Sequence, residues 1–206
     1  HCIKQDKIGD QYYWFYFQVV NAGGKSLTFE LNNMTGIYRG NTHEVFTDYT
    51  QPVYSYDQEE WHRVKDVRYF DQEKRFHFRF TSEQDTIWFA YSHPYSWGRY
   101  QEILSDLKEN PRVEINQIGA TVLDRPLQLV KVSNQEAGEK RNILLTAVQH
   151  AGEDEGGYLL EGLMKFLTSD DPAADAILSR CNFYLVPMMN PDGIFHGLSR
   201  YNASME

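Results

Sequence analysis

The chain has 206 residues, of which 41% are hydrophobic and 15% aromatic, and its formal net charge at pH 7 is −9. This length can bury one sizeable core or two smaller ones, so the composition indicates a globular protein and excludes a disordered one. No run of about 18 apolar residues is present, and residues 1–7 lack the basic and then apolar order of a signal peptide, so we expect no membrane association. Because the chain begins at His1 and not at Met, a leader removed beforehand stays open as an alternative.

The acidic balance argues against nucleic-acid binding, because affinity for phosphates is built from clustered Lys and Arg. Two cysteines, Cys2 and Cys181, lie far apart and form neither a disulfide framework nor a cysteine metal site. We expect two free thiols in a reducing compartment, and therefore a cytoplasmic protein.

The first part of the chain, residues 12–91, has the pattern of an all-β sandwich: short aromatic and β-branched runs separated by turn residues. The predicted strands are 14–20, 26–31, 53–55, 61–64, 75–80 and 86–91. The turn at 21–25 predicts that the first two form a hairpin. His62 and His77 are expected to be structural or surface histidines, since nothing around them indicates catalysis.

The pattern changes at Pro94, which ends a strand and is followed by a helical pattern. That helix is predicted to bury one face, made of Tyr100, Ile103, Leu104 and Leu107. We therefore divide the chain into an N-terminal β-sandwich domain, 1–95, and the N-terminal part of an α/β domain, 96–206.

Strands and helices alternate in this second part. The predicted strands are 112–118, 127–132, 143–148 and 183–188, and the predicted helices are 155–167 and 173–178. This alternation favours an α/β domain with a mixed sheet whose ligand sites lie beyond the carboxyl ends of its strands. Two polar motifs fall at such ends: His150 to Glu153, and Asn190 to Gly193.

His150 and Glu153 form a His-x-x-Glu motif after a strand that looks buried. A catalytic zinc ion takes three ligands from His and carboxylate side chains and leaves a fourth position to water. Gly152 lets the chain turn tightly enough for the two side chains to converge. Alone, the motif has a competing explanation: Glu153, Asp154 and Glu155 could be a favourable acidic first turn of the next helix.

The second motif, Asn190-Pro191-Asp192-Gly193, predicts a tight turn at the same edge of the sheet. Arg200 follows it in Gly197-Leu198-Ser199-Arg200. An arginine in a loop is often a solvated charge, but at this edge its planar cation could stabilise a developing oxyanion.

Together, His150-x-x-Glu153, the segment 187–193 and Gly197-x-x-Arg200 resemble the zinc metallocarboxypeptidases of the M14 type. The β-rich segment ahead of them, with its Trp-Phe-Tyr-Phe run at 14–17 and the passage 89–96, is similar to the cytosolic carboxypeptidase subfamily. The resemblance covers nearly the whole chain and implies Zn²⁺ as cofactor.

The resemblance implies that His150 and Glu153 are the first two zinc ligands. It implies that Arg200 contacts the substrate, polarises the scissile carbonyl and steadies the oxyanion. Gly152 stands where digestive members of the family have a further arginine, so that substrate contact would come from elsewhere. The turn at 190–193 is expected to support the site without taking part.

The family pattern continues with an Asp-Leu-Asn-Arg motif, a third zinc ligand and a glutamate general base, which we expect beyond residue 206. His196 is a weaker alternative for the third ligand, since family geometry draws that ligand from a later strand. Glu155 is a weaker alternative for the general base, because it should face solvent. The chain is therefore expected to be a fragment or one part of a split protein, with an apolar sheet edge, and to be inactive alone.

The implied activity is zinc-dependent hydrolysis of C-terminal residues, of acidic, glutamate type, from peptide or protein tails such as those of tubulin. One alternative is a zinc amidohydrolase acting on small acyl-amino acids, against which the N-terminal sandwich argues. The other is a non-catalytic β-sandwich interaction protein with a degenerate peptidase domain. The oligomeric state is left open.

Overall fold

The computed structural model describes residues 14–32, 34, 36–38, 41–43, 45–134 and 138–204. Predictions for Cys2 and for residues 1–13 lie outside these ranges. The chain divides into two compact units, one reaching to Pro94 and including Gly197–Ser199, and the other comprising Tyr95–His196 and Arg200–Ser204. The domain boundary that the sequence predicts after residue 95 stays a prediction.

The first unit is built from nine β-strands in the described part of the chain. They are β1 (Tyr16–Val19), β2 (Ser26–Leu31), β3 (Gly36–Tyr38), β4 (Asn41–His43), β5 (Val53–Ser55), β6 (His62–Arg63), β7 (Asp66–Phe70), β8 (Arg75–Thr81) and β9 (Ile87–Ala90). One antiparallel sheet has the order β1-β9-β5-β6, a second has the order β2-β8-β7, and β3 pairs with β4. The prediction of an all-β sandwich is confirmed.

Aromatic side chains from both larger sheets form the core of this unit. Phe29 of β2 stacks on Phe78 of β8 at 4.7 Å between ring centroids, and it also contacts Phe89 of β9, in the other sheet, at 5.0 Å. Phe78 and Phe89 are fully buried. Burial of each such ring contributes about 2–3 kcal/mol, and aromatic pairing adds about 1 kcal/mol more.

The predicted hairpin between the first two strands is wrong. β1 pairs with β9, and β2 pairs with β8. The connection at 20–25 instead crosses from one sheet to the other, and it is bound to the loop after β8: Ala22 donates from its backbone to Asp85, and Gly24 donates to Ser82. Strong turn residues fix where a chain reverses, but they do not fix which sheet receives the next strand.

The second unit is a mixed sheet with helices, and this confirms the predicted fold class. Its elements are α1 (Trp97–Leu107), β10 (Val113–Ala120), β11 (Pro126–Val132), β12 (Arg141–Thr146), α2 (Glu155–Leu167), α3 (Pro172–Leu178), β13 (Cys181–Val186) and α4 (Pro191–His196). The sheet order is β10-β11-β13-β12, in which β12 and β13 are parallel and the other pairs are antiparallel. As predicted, α1 buries Tyr100, Ile103, Leu104 and Leu107.

Strand β12 differs from its prediction in two respects. It ends at Thr146, so Ala147 and Val148 belong to the following loop. The strand is also less buried than its apolar sequence indicates, and it lies at the edge of the sheet, with β13 as its single partner among the described strands. Leu144 is 66% exposed.

None of the helices in the described ranges has both the length and the apolar character needed to cross a bilayer.

Candidate metal centre

The two polar motifs do lie at one edge of the sheet. The parallel strands β12 and β13 end side by side, with Thr146 opposite Val186. Beyond the strands, hydrogen bonds continue to join the two segments: Met189 donates to the carbonyl of Ala147, and Asn190 donates to that of Val148, both at 3.0 Å. The residues that precede His150 are therefore held against the residues that begin the second motif.

Val148 adopts a left-handed backbone conformation, with φ of 53°. A β-branched residue in this region is a genuine outlier, and such strain costs about 1–3 kcal/mol. The residue is 2% exposed, so packing holds it in place. The left-handed turn ends the extended path of β12 immediately before Gln149 and His150. No sequence pattern indicated it, because valine normally avoids this conformation.

His150 and Glu153 are brought together in the loop between β12 and α2. The Nδ1 atom of His150 lies 2.7 Å from Oε1 of Glu153. The backbone N–H of Glu153 donates to the carbonyl of His150 at 3.1 Å, which closes the turn between them. Their side chains are 34% and 61% exposed, so the pair lies at the protein surface.

An imidazole nitrogen and a carboxylate oxygen are two of the ligand types that zinc prefers. Because Nδ1 of His150 and Oε1 of Glu153 already converge, one cation could be bound by both atoms. These two residues therefore fit the ligand set of a zinc site, although they do not complete it.

The acidic residues after His150 do not act as one negative first turn. Asp154 is 1% exposed, and its Oδ1 accepts a hydrogen bond from the backbone N–H of Tyr95 at 3.0 Å. Glu155, by contrast, is exposed at the first position of α2, as the sequence predicted. Asp154 thus anchors the end of the loop that carries His150 and Glu153, a structural role that the sequence did not reveal.

The predicted tight turn at 190–193 is instead the start of a helix. Asn190 accepts a hydrogen bond from the backbone N–H of Gly193 through its side chain, at 2.9 Å, and Pro191 is the first residue of α4. Asn before a helix and Pro at its first position are both favourable, which explains why turn chemistry produced a helix here. A Cβ on Gly193 would lie 2.7 Å from the carbonyl oxygen of Tyr201 and 2.8 Å from Cβ of Ala151, so this position requires glycine.

The side chain of Asp192 also holds α4 in place. It is 2% exposed, and its Oδ1 accepts from Arg125 at 2.7 Å and from the Thr121 hydroxyl at 2.9 Å. The Arg125 guanidinium also lies over the ring of Phe195, 3.8 Å from its centroid. These contacts join α4 to the turn between β10 and β11, and no sequence pattern indicated them.

The backbone that carries Arg200 is bound to Asn190. The side-chain amide of Asn190 donates to the carbonyl of Arg200 at 3.3 Å and to that of Tyr201 at 3.1 Å. Since the backbone of Asn190 is in turn bonded to Val148, the chain at Arg200 is connected to the loop of His150 through one buried asparagine.

No third His, Cys, Asp or Glu joins the pair to make a metal-binding cluster within the residues that the structure describes. His196, at the end of α4, is therefore not placed as a third ligand.

Comparison with known proteins identifies the family. The family model described as zinc carboxypeptidase matches residues 100–204, and the model of the cytosolic carboxypeptidase N-terminal domain matches residues 2–92. Cytosolic carboxypeptidase 6 of Mus musculus is 31% identical over 93% of this chain and 37% of its own length. The protein of that name from Caenorhabditis elegans is 28% identical over 98% of this chain and 46% of its own.

Solved structures of metallo-carboxypeptidases share the fold. The enzyme from Burkholderia cenocepacia superimposes with a TM-score of 0.85 at 29% identity, over 98% of this chain and 54% of its own. The enzyme from Pseudomonas aeruginosa, in complex with (2-guanidinoethylmercapto)succinic acid, gives 0.83 at 31% identity, over 98% and 52%. The chain thus spans about half or less of the length of these proteins. It belongs to the zinc carboxypeptidase family, and a domain of the cytosolic carboxypeptidase N-terminal type precedes its zinc carboxypeptidase domain.

Proposed function

We propose that the protein is a zinc-dependent carboxypeptidase in which His150 and Glu153 are two of the metal ligands. The observation that supports this most directly is the 2.7 Å approach of His150 Nδ1 to Glu153 Oε1 at the end of β12. The pair lies in the part of the chain that the zinc carboxypeptidase model matches.

Bound zinc would supply Lewis-acid polarisation of the scissile carbonyl and lower the pKa of a coordinated water. The residues of this chain would hold the metal and orient the substrate. His150 and Glu153 bind the metal, and Arg200 offers a permanent cation to the substrate carbonyl as negative charge develops on its oxygen. Asn190 holds the backbone of Arg200 in place. In this proposal, the third ligand and the general base come from sequence beyond residue 206.

The proposed substrate is the C-terminal tail of a peptide or protein, with preference for an acidic, glutamate-type last residue. The support is the N-terminal domain, which matches the cytosolic carboxypeptidase type. Relatives named cytosolic carboxypeptidases also favour a cytoplasmic location for this protein.

A test of this function uses the full-length gene product loaded with zinc and two matched peptides that differ only in ending with Glu or Gln. Release of the last residue is followed by mass spectrometry. We expect release from the Glu peptide, and its loss with a zinc chelator. Arg200→Lys should lower kcat about 100- to 1,000-fold, because a flexible ammonium replaces the planar cation.

Arg180→Lys is the matched control, since Arg180 is exposed between α3 and β13. It should leave kcat unchanged. The carboxypeptidase proposal is wrong if the zinc-loaded protein releases no residue from either peptide. Equal release from both peptides would contradict only the proposed preference for an acidic last residue.

A further inference from the structure

The first unit contains a pocket of about 490 Å³ whose lining includes neither His150 nor Glu153. It lies where the chain passes from β6 in one sheet to β7 in the other. Its lining consists of Ser26, Tyr54, Arg63, Val64, Lys65, Asp66, Arg79, Phe80 and Thr81. A volume of this size is in the range of about 300–1,000 Å³ that ligand sites occupy.

The lining is cationic although the chain as a whole is acidic. Arg63, Lys65 and Arg79 face a single carboxylate, Asp66, in a chain of net charge −9. Arg63 donates to the carbonyl of Gln51 at 2.9 Å. Among the described residues, the side chains of Lys65 and Arg79 make no hydrogen bond or ion pair, and Asp66 lies opposite Arg79 in the pairing of β7 with β8. Two exposed cations in one concave surface are therefore available to an anionic ligand.

An aromatic and apolar surface lies beside these charges. The rings of Tyr54 and Phe80 are 4.2 Å apart between centroids, and both are half-buried. The pocket can thus pack the aliphatic part of a ligand while the cations pair with its charged end.

The strands around the pocket favour an extended peptide over other anions. β6 and β7 are each the outermost strand of their sheet in the described part of the chain. An outermost strand leaves backbone groups with which an extended segment can pair. A nucleic acid, in contrast, would bring many phosphates against a chain of net charge −9 and find only three cations here.

We propose that this pocket is a binding site for an acidic peptide segment, whose carboxylates pair with Lys65 and Arg79 while its aliphatic stems pack on Tyr54 and Phe80. The site is independent of the metal centre, so it is tested without zinc and without any measurement of peptidase activity.

The experiment is a fluorescence-anisotropy titration of the chain against a short labelled Glu-rich peptide, with the Gln-rich peptide of equal length as the comparison. We expect saturable binding of the Glu peptide that weakens as salt is raised. Lys65→Gln and Arg79→Gln should each lower the affinity about three- to tenfold, and Arg79→Lys should keep most of it.

Lys108→Gln removes the same charge from the exposed end of α1, outside the pocket, and should leave the affinity unchanged. Circular dichroism confirms that each variant is folded. The proposal is overturned if the Gln peptide binds equally well, if Lys108→Gln weakens binding as much as Arg79→Gln does, or if the Glu peptide does not bind. Tighter binding of a single-stranded oligonucleotide of equal charge would also overturn it.

Discussion

Asn190 binds the backbone of the segment that carries Arg200. It is 5% exposed, and its side chain accepts from Gly193 and donates to the carbonyls of Arg200 and Tyr201. One amide therefore both begins α4 and binds the segment that follows it.

We expect Asn190→Ala to lower the free energy of unfolding by about 1–3 kcal/mol, because it leaves buried backbone groups without partners. Urea unfolding measures this effect, and limited proteolysis should show faster cleavage near residue 200. Asn142→Ala is the control, since it removes one exposed hydrogen bond, from Asn182, and should cost less than about 1 kcal/mol. Equal losses in the two variants would contradict this role of Asn190.

Single-residue features were predictable from the sequence where the chemistry is local. His150 and Glu153 are three positions apart in one loop, so their ligand types and spacing already indicated convergence. Asp154 and Val148 could not be recognised in this way. The role of Asp154 depends on Tyr95, which is 59 positions away, and the left-handed conformation of Val148 is held by packing.

Among the elements, α2 packs closely against Tyr95 through a glycine. A Cβ added to Gly157 would lie 2.3 Å from Cδ1 of Tyr95, a ring that is fully buried. Gly162, one and a half turns later on the same helix, has no neighbouring atom within 4 Å of such a Cβ.

The two glycines predict opposite effects of the same substitution. Gly157→Ala should destabilise the protein by about 1–3 kcal/mol, since the buried ring must move. Gly162→Ala should stabilise it by about 0.5–1 kcal/mol, because alanine favours the helix. Urea unfolding of both variants measures these changes. Stabilisation by Gly157→Ala would contradict the close packing of Gly157 against Tyr95.

A buried ion pair joins α1 to α2. Arg99 donates two hydrogen bonds to Glu161, at 2.8 and 2.9 Å, and Lys165 donates a third at 2.7 Å. Burial by itself would raise the pKa of Glu161, but the hydrogen bonds and charges of Arg99 and Lys165 outweigh it and hold that pKa below its usual range.

We expect Glu161→Ala to cost about 2 kcal/mol of unfolding free energy at neutral pH, because Arg99 loses its partner. A carboxylate whose pKa is lower in the folded than in the unfolded protein stabilises the fold at pH values above its unfolded pKa. This stabilisation is lost as the pH falls through the folded pKa. The difference from wild type should therefore narrow below about pH 4. Lys165→Ala, whose side chain is 56% exposed, should cost less than about 1 kcal/mol. A difference that does not change with pH would contradict this account.

The elements themselves were largely predictable, but their pairing was not. The helical pattern placed α1 and α2 correctly, because each buries one face at helical spacing. Strand β7 was missed although Asp66 and Arg68 alternate there with apolar Val67 and Tyr69, which is the period of two typical of a strand. The hairpin error at β1 and β2 has a different cause, since strand pairing is a non-local property.

At the scale of the whole molecule, the sequence predicted the order of an all-β part and a mixed α/β part. The structure brings the side chains of His150 and Glu153 together in the described part of the chain, and their assignment as two ligands of an incomplete zinc site stays a prediction.

We therefore expect the 206-residue chain to bind zinc with a Kd of about micromolar or weaker, far from the affinity of a full ligand set. It should also release no residue from a Glu-terminated peptide. Isothermal titration calorimetry and the peptide assay check these two expectations. Stoichiometric zinc binding in the nanomolar range by this chain would show that the ligand set is already complete.

The zinc content of the full-length gene product tests the central claim most directly, and metal analysis of the purified protein measures it. We predict about one zinc per chain in the wild type and in His196→Ala, and loss of most of the zinc in His150→Ala and in Glu153→Ala. A His150→Ala protein that is folded and retains a full equivalent of zinc would contradict the assignment of the metal centre.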